Sequence, residues 1–121
     1  MNTKMKPIIL VVEDDDDARI SFIEVLEDEG YAIAQARDGR EAEAYLREHP
    51  APAAMVLDLM MPRLDGWAVA SLLRQGRLPN VPIVVVTAAG NQWGYPAPRE
   101  RVLKKPVSPN TLLDAVRAIA G

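Results

Sequence analysis

Two short segments of the sequence are apolar at nearly every position, and this feature constrains the fold more than any other. They are IILVV at residues 8–12 and IVVVT at residues 83–87. A strand with one face in water alternates apolar and polar residues, whereas these runs need cover on both faces. Helices on both sides of a parallel sheet give that cover. The two runs therefore predict a three-layer α/β fold.

Amphipathic helical segments alternate with the strands along the chain. The first places Ala18, Phe22, Val25 and Leu26 on one stripe, and Gly30 follows it as a C-cap. The predicted strands are residues 6–12, 31–36, 53–58, 81–87 and 101–103, and the predicted helices are residues 17–30, 38–49, 66–76 and 109–120. This alternation predicts a doubly wound parallel sheet, whose ligands bind beyond the carboxyl ends of the strands.

The size and charge of the chain exclude several classes of protein. Its 121 residues suit one domain spanning residues 1–121, and its net charge of -3 comes without an aromatic-flanked basic patch for nucleic acid. The chain has no cysteine, and its N-terminal apolar run of six residues is too short for a signal peptide or a membrane span. We expect a cytoplasmic protein with no direct contact to nucleic acid or membrane.

Polar residues follow the predicted strands where each strand ends. They are Glu13 and Asp14 after the first strand, Asp58 at the end of the third, Thr87 at the end of the fourth, and Lys105 with Pro106 after the fifth. Each alone is commonplace in a loop, but together they place three carboxylates at one edge of the sheet. Crowded carboxylates repel each other unless a cation neutralises them. Oxygen ligands in small number favour Mg²⁺ over a transition metal.

Four motifs in this order identify a family resemblance. They are VEDD at residues 12–15, VLDLMMPRLDG at 56–66, VVVTA at 84–88 and LKKPVSP at 103–109. With them, almost the whole chain resembles the receiver domain of two-component response regulators. The resemblance implies a flavodoxin-like, five-stranded sheet of order 2-1-3-4-5. It also implies phosphorylation of Asp58 by a sensor histidine kinase or a histidine phosphotransfer protein, followed by binding to a downstream protein target.

The resemblance assigns a role to each residue at the strand ends. It implies a metal site formed by Glu13, Asp14, Asp58 and the backbone carbonyl of Met60, holding Mg²⁺, for which Mn²⁺ can substitute. It implies that Thr87, Ala88 and Lys105 bind the phosphoryl group and switch with it, and that a cis peptide bond precedes Pro106. Such a domain assists its own phosphorylation and dephosphorylation but is not a classical enzyme.

The sequence departs from the family between Thr87 and Lys105. Glycines and prolines interrupt residues 88–101, so the fourth helix is predicted to be shortened or absent. Val102 stands where many members carry a switch aromatic. Trp93 and Tyr95 have two interpretations: their rings cover the sheet, or they form an exposed patch for a partner protein or a second copy in a homodimer.

Other interpretations of the acidic segment meet obstacles. An EF-hand counted from Asp14 needs glycine where Arg19 stands, and a P-loop needs a Gly-Lys pair, which does not occur. An aspartate-nucleophile phosphatase needs a second acid where Met60 stands. The stronger alternative is a receiver-like module that binds proteins without phosphorylation. Of the remaining acids, Asp16 or Asp17 is expected to cap the first helix.

Overall fold

The computed structural model describes residues 6–58, 81–88 and 102–120. Its strands are β1 Ile8–Val12, β2 Ala32–Ala36, β3 Ala54–Asp58, β4 Ile83–Thr87 and β5 Val102–Lys104, and its helices are α1 Asp16–Asp28, α2 Gly39–Glu48 and α3 Pro109–Ala120. Each predicted strand is present, with its ends within two residues of the prediction. The predicted helix at residues 66–76 and the shortened fourth helix lie outside the described residues.

The five strands form one parallel sheet in the order β2-β1-β3-β4-β5, which confirms the predicted fold class. The chain winds outward in opposite directions from β1 and β3, so these neighbours flank the point where the winding reverses. In register, Val12 lies opposite Leu57, the residue before Asp58. The residues that follow Val12 therefore come directly beside Asp58.

The sheet is covered on both faces, as the two apolar runs predicted. Successive side chains of a strand point to opposite faces. Leu10 and Val12 pack with residues of α2, including Leu46, while Ile9 and Val11 pack with residues of α1 and α3. Residues 9–12 and 54–57 have no solvent exposure at all. The central strands are thus fixed on both sides, which gives their carboxyl ends a rigid support.

The cap of the first helix lies one residue before the two residues predicted for it. Asp15 is the N-cap residue of α1, and its Oδ2 accepts a hydrogen bond from the Ala18 N–H at 2.8 Å. Asp16 and Asp17 lie in the first turn, so the expectation that one of them caps the helix was wrong. Both remain near the positive end of the helix dipole, which favours their charge.

The other helix ends follow the sequence. Gly30 has φ 96°, and the Tyr31 N–H beyond it donates to the Leu26 carbonyl at 3.2 Å, which closes α1. Asp38 caps α2, and Ser108 accepts the Thr111 N–H at 3.2 Å at the start of α3. Among the described residues, no helix combines the length and the apolar composition needed to cross a bilayer.

The cap assignment can be tested by substitution. Asp15→Ala is expected to lower the free energy of unfolding by about 1 kcal/mol, because the Ala18 N–H loses its acceptor. Asp17→Ala removes a neighbouring acid without removing a cap, and we expect a loss of about 0.3 kcal/mol. Urea unfolding in EDTA measures both values. Equal losses would contradict the assignment of Asp15 as the cap.

Candidate functional site

Three carboxylates meet where β1 and β3 end. Oxygen atoms of Glu13, Asp14 and Asp58 all lie within 4.8 Å of one another. Glu13 and Asp58 are only 1% and 3% exposed, whereas Asp14 is exposed to solvent. Glu13 directly follows β1 and its N–H still donates to Ala36 of β2, whereas Asp14 lies one residue further into the loop that leads to α1.

Lys105 brings a positive charge to these carboxylates from the far side of the sheet. Its Nζ lies 2.6 Å from Oε1 of Glu13 and 3.3 Å from Oδ2 of Asp58. Its backbone N–H donates to the Thr87 carbonyl at 3.0 Å, and its peptide bond to Pro106 is cis. The side chain therefore extends from the end of β5, past β4 and β3, to the acid that follows β1.

Burial dominates the electrostatics of Glu13. It raises the pKa of Glu13 to about 7, the negative charge of Asp58 adds to the rise, and contact with Lys105 opposes it. Burial by itself would lower the pKa of Lys105, but its contacts with Glu13 and Asp58 outweigh burial and raise that pKa. Oε1 of Glu13 accepts no aligned hydrogen bond among the described residues, so its short contact with Lys105 is an ion pair.

The donor set suits a hard divalent cation. Among the described residues this cluster contains three carboxylates and one ammonium. Its net charge is therefore negative when all three carboxylates are ionised. Mg²⁺ prefers carboxylate oxygens and keeps several water ligands, which the exposed side of Asp14 allows. The residues present therefore fit Mg²⁺. The backbone carbonyl of Met60, expected as a further ligand, lies outside the described residues.

The remaining predicted site residues occupy different places. Thr87 ends β4 and is fully buried, one residue beyond the partner of Asp58 in the β3–β4 register, and Ala88 after it is exposed. Val102 begins β5 and packs, partly buried, against the core cluster that contains Val85. Trp93 and Tyr95 lie outside the described residues, so both interpretations of their rings stay predictions.

A cavity of about 400 Å³ adjoins the carboxylate cluster. It lies between α1 and the segment that follows β5, and Lys105 forms part of its wall. The lining residues are Asp15, Ala18, Ser21, Phe22, Lys105, Pro106 and Val107. A molecule bound there would contact the same lysine that pairs with Glu13 and Asp58.

Arg19 is a buried charged residue that the predicted stripe of α1 did not include. It is only 5% exposed and donates to Gln35, to Asp16 and to the backbone carbonyl of Glu13. Its sequence signal is its spacing, because Arg19, Phe22 and Leu26 lie three and four residues apart on one face of α1. Because Arg19 is charged, its burial on this face of the helix was not predicted from the sequence.

Comparison with known proteins points to a single family. The family model for the response regulator receiver domain matches residues 9–117. The response regulator MprA of Mycolicibacterium vanbaalenii is 40% identical over 115 residues, which cover 92% of this chain and 49% of that protein. The transcriptional regulatory protein SrrA of Staphylococcus aureus is 34% identical, with 92% of this chain and 46% of that protein covered. The chain spans about half the length of the curated relatives it matches.

Solved structures give the same result. The crystal structure of a sensor protein from Polaromonas sp. JS666 superposes with a TM-score of 0.80 and 28% sequence identity. The superposition covers 96% of this chain and 97% of that one. The sequence match and the structural match therefore agree, and each covers nearly the whole of this chain.

The carboxylate cluster predicts a response to Mg²⁺ that depends on Asp14. At about 100 times its Kd, Mg²⁺ should raise the free energy of unfolding by about 2.7 kcal/mol, because the ion binds the folded carboxylate cluster alone. Asp14→Asn should lose most of this gain, since it removes a ligand charge. Asp28→Asn, at the other end of α1, is the matched control. Urea unfolding with and without Mg²⁺ gives the values, and an equal gain in both variants would argue against the site.

Proposed function

The chain belongs to the family of response regulator receiver domains of two-component systems, and we propose that Asp58 is its phosphoryl acceptor. The donor would be a sensor histidine kinase or a histidine phosphotransfer protein. One observation carries this proposal: the buried Asp58 carboxylate lies within 4.8 Å of carboxylate oxygens of Glu13 and Asp14 and 3.3 Å from the Lys105 ammonium, which also contacts Glu13. This surrounding provides the charges that phosphoryl transfer to a carboxylate requires.

The proposed step is a displacement at phosphorus. A carboxylate oxygen of Asp58 forms the new P–O bond while the P–N bond to the donor imidazole breaks. The electron pair of the broken bond stays on the imidazole nitrogen, and the ring leaves neutral when its other nitrogen carries a proton. The product is an acyl phosphate on Asp58. The domain assists this reaction through its geometry and is not an enzyme acting on a separate substrate.

Lys105 and Thr87 would bind the transferred group. Nζ of Lys105, 3.3 Å from Oδ2 of Asp58, is close enough to donate to a phosphoryl oxygen carried by that carboxylate. Thr87 ends the neighbouring strand, and its hydroxyl is the proposed donor to another oxygen, beside the backbone of Ala88. Bound Mg²⁺ would offset the repulsion between the anionic nucleophile and the anionic donor. Glu13, Asp14, Asp58 and the Met60 carbonyl would hold the ion, and Mn²⁺ can replace it.

The same contacts suggest how phosphorylation changes the surface. Lys105 lies closer to Glu13 than to Asp58, so a phosphoryl group on Asp58 would compete with Glu13 for its ammonium. The Lys105 backbone is bonded to the Thr87 carbonyl, which connects this change to the ends of β4 and β5. We propose that two arrangements of this region exist and that phosphorylation favours one of them, which a downstream protein binds. Because Val102 stands at the position of the switch aromatic, this coupling would operate without an aromatic side chain there.

The donor protein must reach Asp58 across the rim of the site. The cavity between α1 and the Lys105–Val107 segment lies beside Lys105, and its lining includes the apolar residues Ala18 and Phe22. Apolar surface next to a charged site is suited to a transient protein contact. We propose this side of the domain as the one that meets the histidine-bearing partner.

The proposal concerns residues 1–121 as one receiver domain in the cytoplasm. The output activity of a full-length protein is a separate question. The relatives are about twice as long as this chain, and SrrA is named a transcriptional regulatory protein. The expectation of no direct contact to nucleic acid is therefore limited to the receiver residues, whose net charge is negative.

Phosphorylation of Asp58 can be tested without knowing the kinase. With Mg²⁺ and acetyl phosphate, the intact mass should increase by one phosphoryl group, and Asp58→Asn should show no increase because it lacks the nucleophile. Lys105→Ala should slow the reaction about 10- to 100-fold, since a charge that stabilises the transition state is lost. Asp114→Asn, an exposed acid on α3, is the control.

Two outcomes would contradict the proposal. One is the absence of any mass increase in the wild type, together with no spectral response to beryllofluoride. The other is an equal mass increase in Asp58→Asn. Either result would favour the alternative, a receiver-like module that binds its partner without phosphorylation.

A further inference from the structure

Arg19 makes three side-chain hydrogen bonds although it is almost completely buried. Its Nε donates to Oε1 of Gln35 on β2 at 3.0 Å, and its Nη2 donates to Oδ1 of Asp16 at 2.6 Å. Its Nη1 donates to the backbone carbonyl of Glu13 at 3.1 Å. A planar guanidinium with five donors can satisfy such divergent partners together, whereas a lysine ammonium cannot reproduce this geometry.

The contact with Glu13 fixes a peptide group that the sheet leaves free. β1 ends at Val12, and the Glu13 N–H still donates to the Ala36 carbonyl of β2 at 3.1 Å. The Glu13 carbonyl instead accepts from Arg19, so both polar groups of this backbone are bonded. That carbonyl belongs to the peptide plane that joins Glu13 to Asp14. The orientation of this peptide plane sets the direction in which the side chains of Glu13 and Asp14 leave the backbone.

The Glu13 side chain depends on the same orientation. Its Oε2 accepts the Asp15 N–H at 3.1 Å, while its Oε1 pairs with Lys105. Asp15 in turn caps α1, the helix that carries Arg19. The chain thus forms a closed loop of contacts from Glu13 through Asp15 and α1 back to the Glu13 carbonyl.

We propose that Arg19 is a positioning residue, which holds the Glu13–Asp14 peptide so that both carboxylates face Asp58. Arg19 acts through the Glu13 carbonyl and does not contact the phosphoryl group or the metal ion. Outer contacts of this kind commonly change metal affinity because they orient the ligands. The bond to Asp16 contributes little, since that carboxylate is 75% exposed. The part of the inference that concerns Mg²⁺ rests on the proposed function.

The test compares Arg19→Lys with the wild type and with Arg117→Lys. Arg117 also pairs with acids, but these are Asp114 within α3 and Glu29 just beyond the far end of α1. The first measurement is amide hydrogen exchange by NMR in EDTA. We expect the Asp15 N–H to exchange about 3- to 10-fold faster in Arg19→Lys, because its bond to Glu13 weakens. The control should leave this rate unchanged.

The second measurement is the affinity for Mg²⁺ by calorimetric titration. Arg19→Lys should bind Mg²⁺ about tenfold more weakly than the wild type and the control. A merely structural role for Arg19 would lower the unfolding free energy without changing the Kd of the folded fraction. If Arg19→Lys does not fold, Gln35→Ala replaces it, because that exposed residue supports the guanidinium from β2, and smaller changes in the same directions are expected.

The two proposals fail in different ways. A wild type that neither binds Mg²⁺ nor gains a phosphoryl group would overturn the proposed function, while the exchange rate of Asp15 would still decide the role of Arg19. An unchanged Asp15 exchange rate in the folded variant would overturn the inference. In a wild type that binds Mg²⁺, an unchanged Kd in the variant would also overturn it.

Discussion

Repulsion among carboxylates at the ends of β1 and β3 is the constraint on which the rest of this structure depends. A parallel sheet brings the carboxyl ends of neighbouring strands together, so acids that are distant in sequence come within 4.8 Å of one another. Burial makes the repulsion stronger, because solvent screens it less. Lys105 offsets part of it in the structure described. A divalent cation could offset the remainder, and under the proposed function this unfavourable cluster of charge would serve as a site for an ion and a phosphoryl group.

The architecture was predictable because its signals are local. Runs that are apolar on both faces, helix caps such as Asp38 and Ser108, and Gly30 with φ 96° are all read from neighbouring residues. The cap of α1 was not, because Asp15, Asp16 and Asp17 have the same side chain and the same capping tendency. The backbone decides among them, since the helix begins at Asp16 and leaves Asp15 in the extended conformation.

The convergence of four residues from the strand ends was predictable, but their contacts were not. Strand ends indicated that Glu13, Asp14, Asp58 and Lys105 share one edge of the sheet. The sequence did not indicate that Glu13 is buried, that Asp14 is exposed, or that Lys105 lies closer to Glu13 than to Asp58. Those facts depend on strand twist, register and side-chain reach across intervening strands. Arg19 was missed for a related reason: a charged residue can complete an apolar stripe when its partners lie on other elements.

The uneven burial of the two neighbouring acids affects how an ion would reach the site. Glu13 is enclosed by the core, while Asp14 beside it borders the solvent. A hydrated ion can therefore approach by way of Asp14 and exchange its waters stepwise, with no need to open the packed sheet. Loading and unloading of a cation held there would then be surface events, separate from the unfolding of the domain.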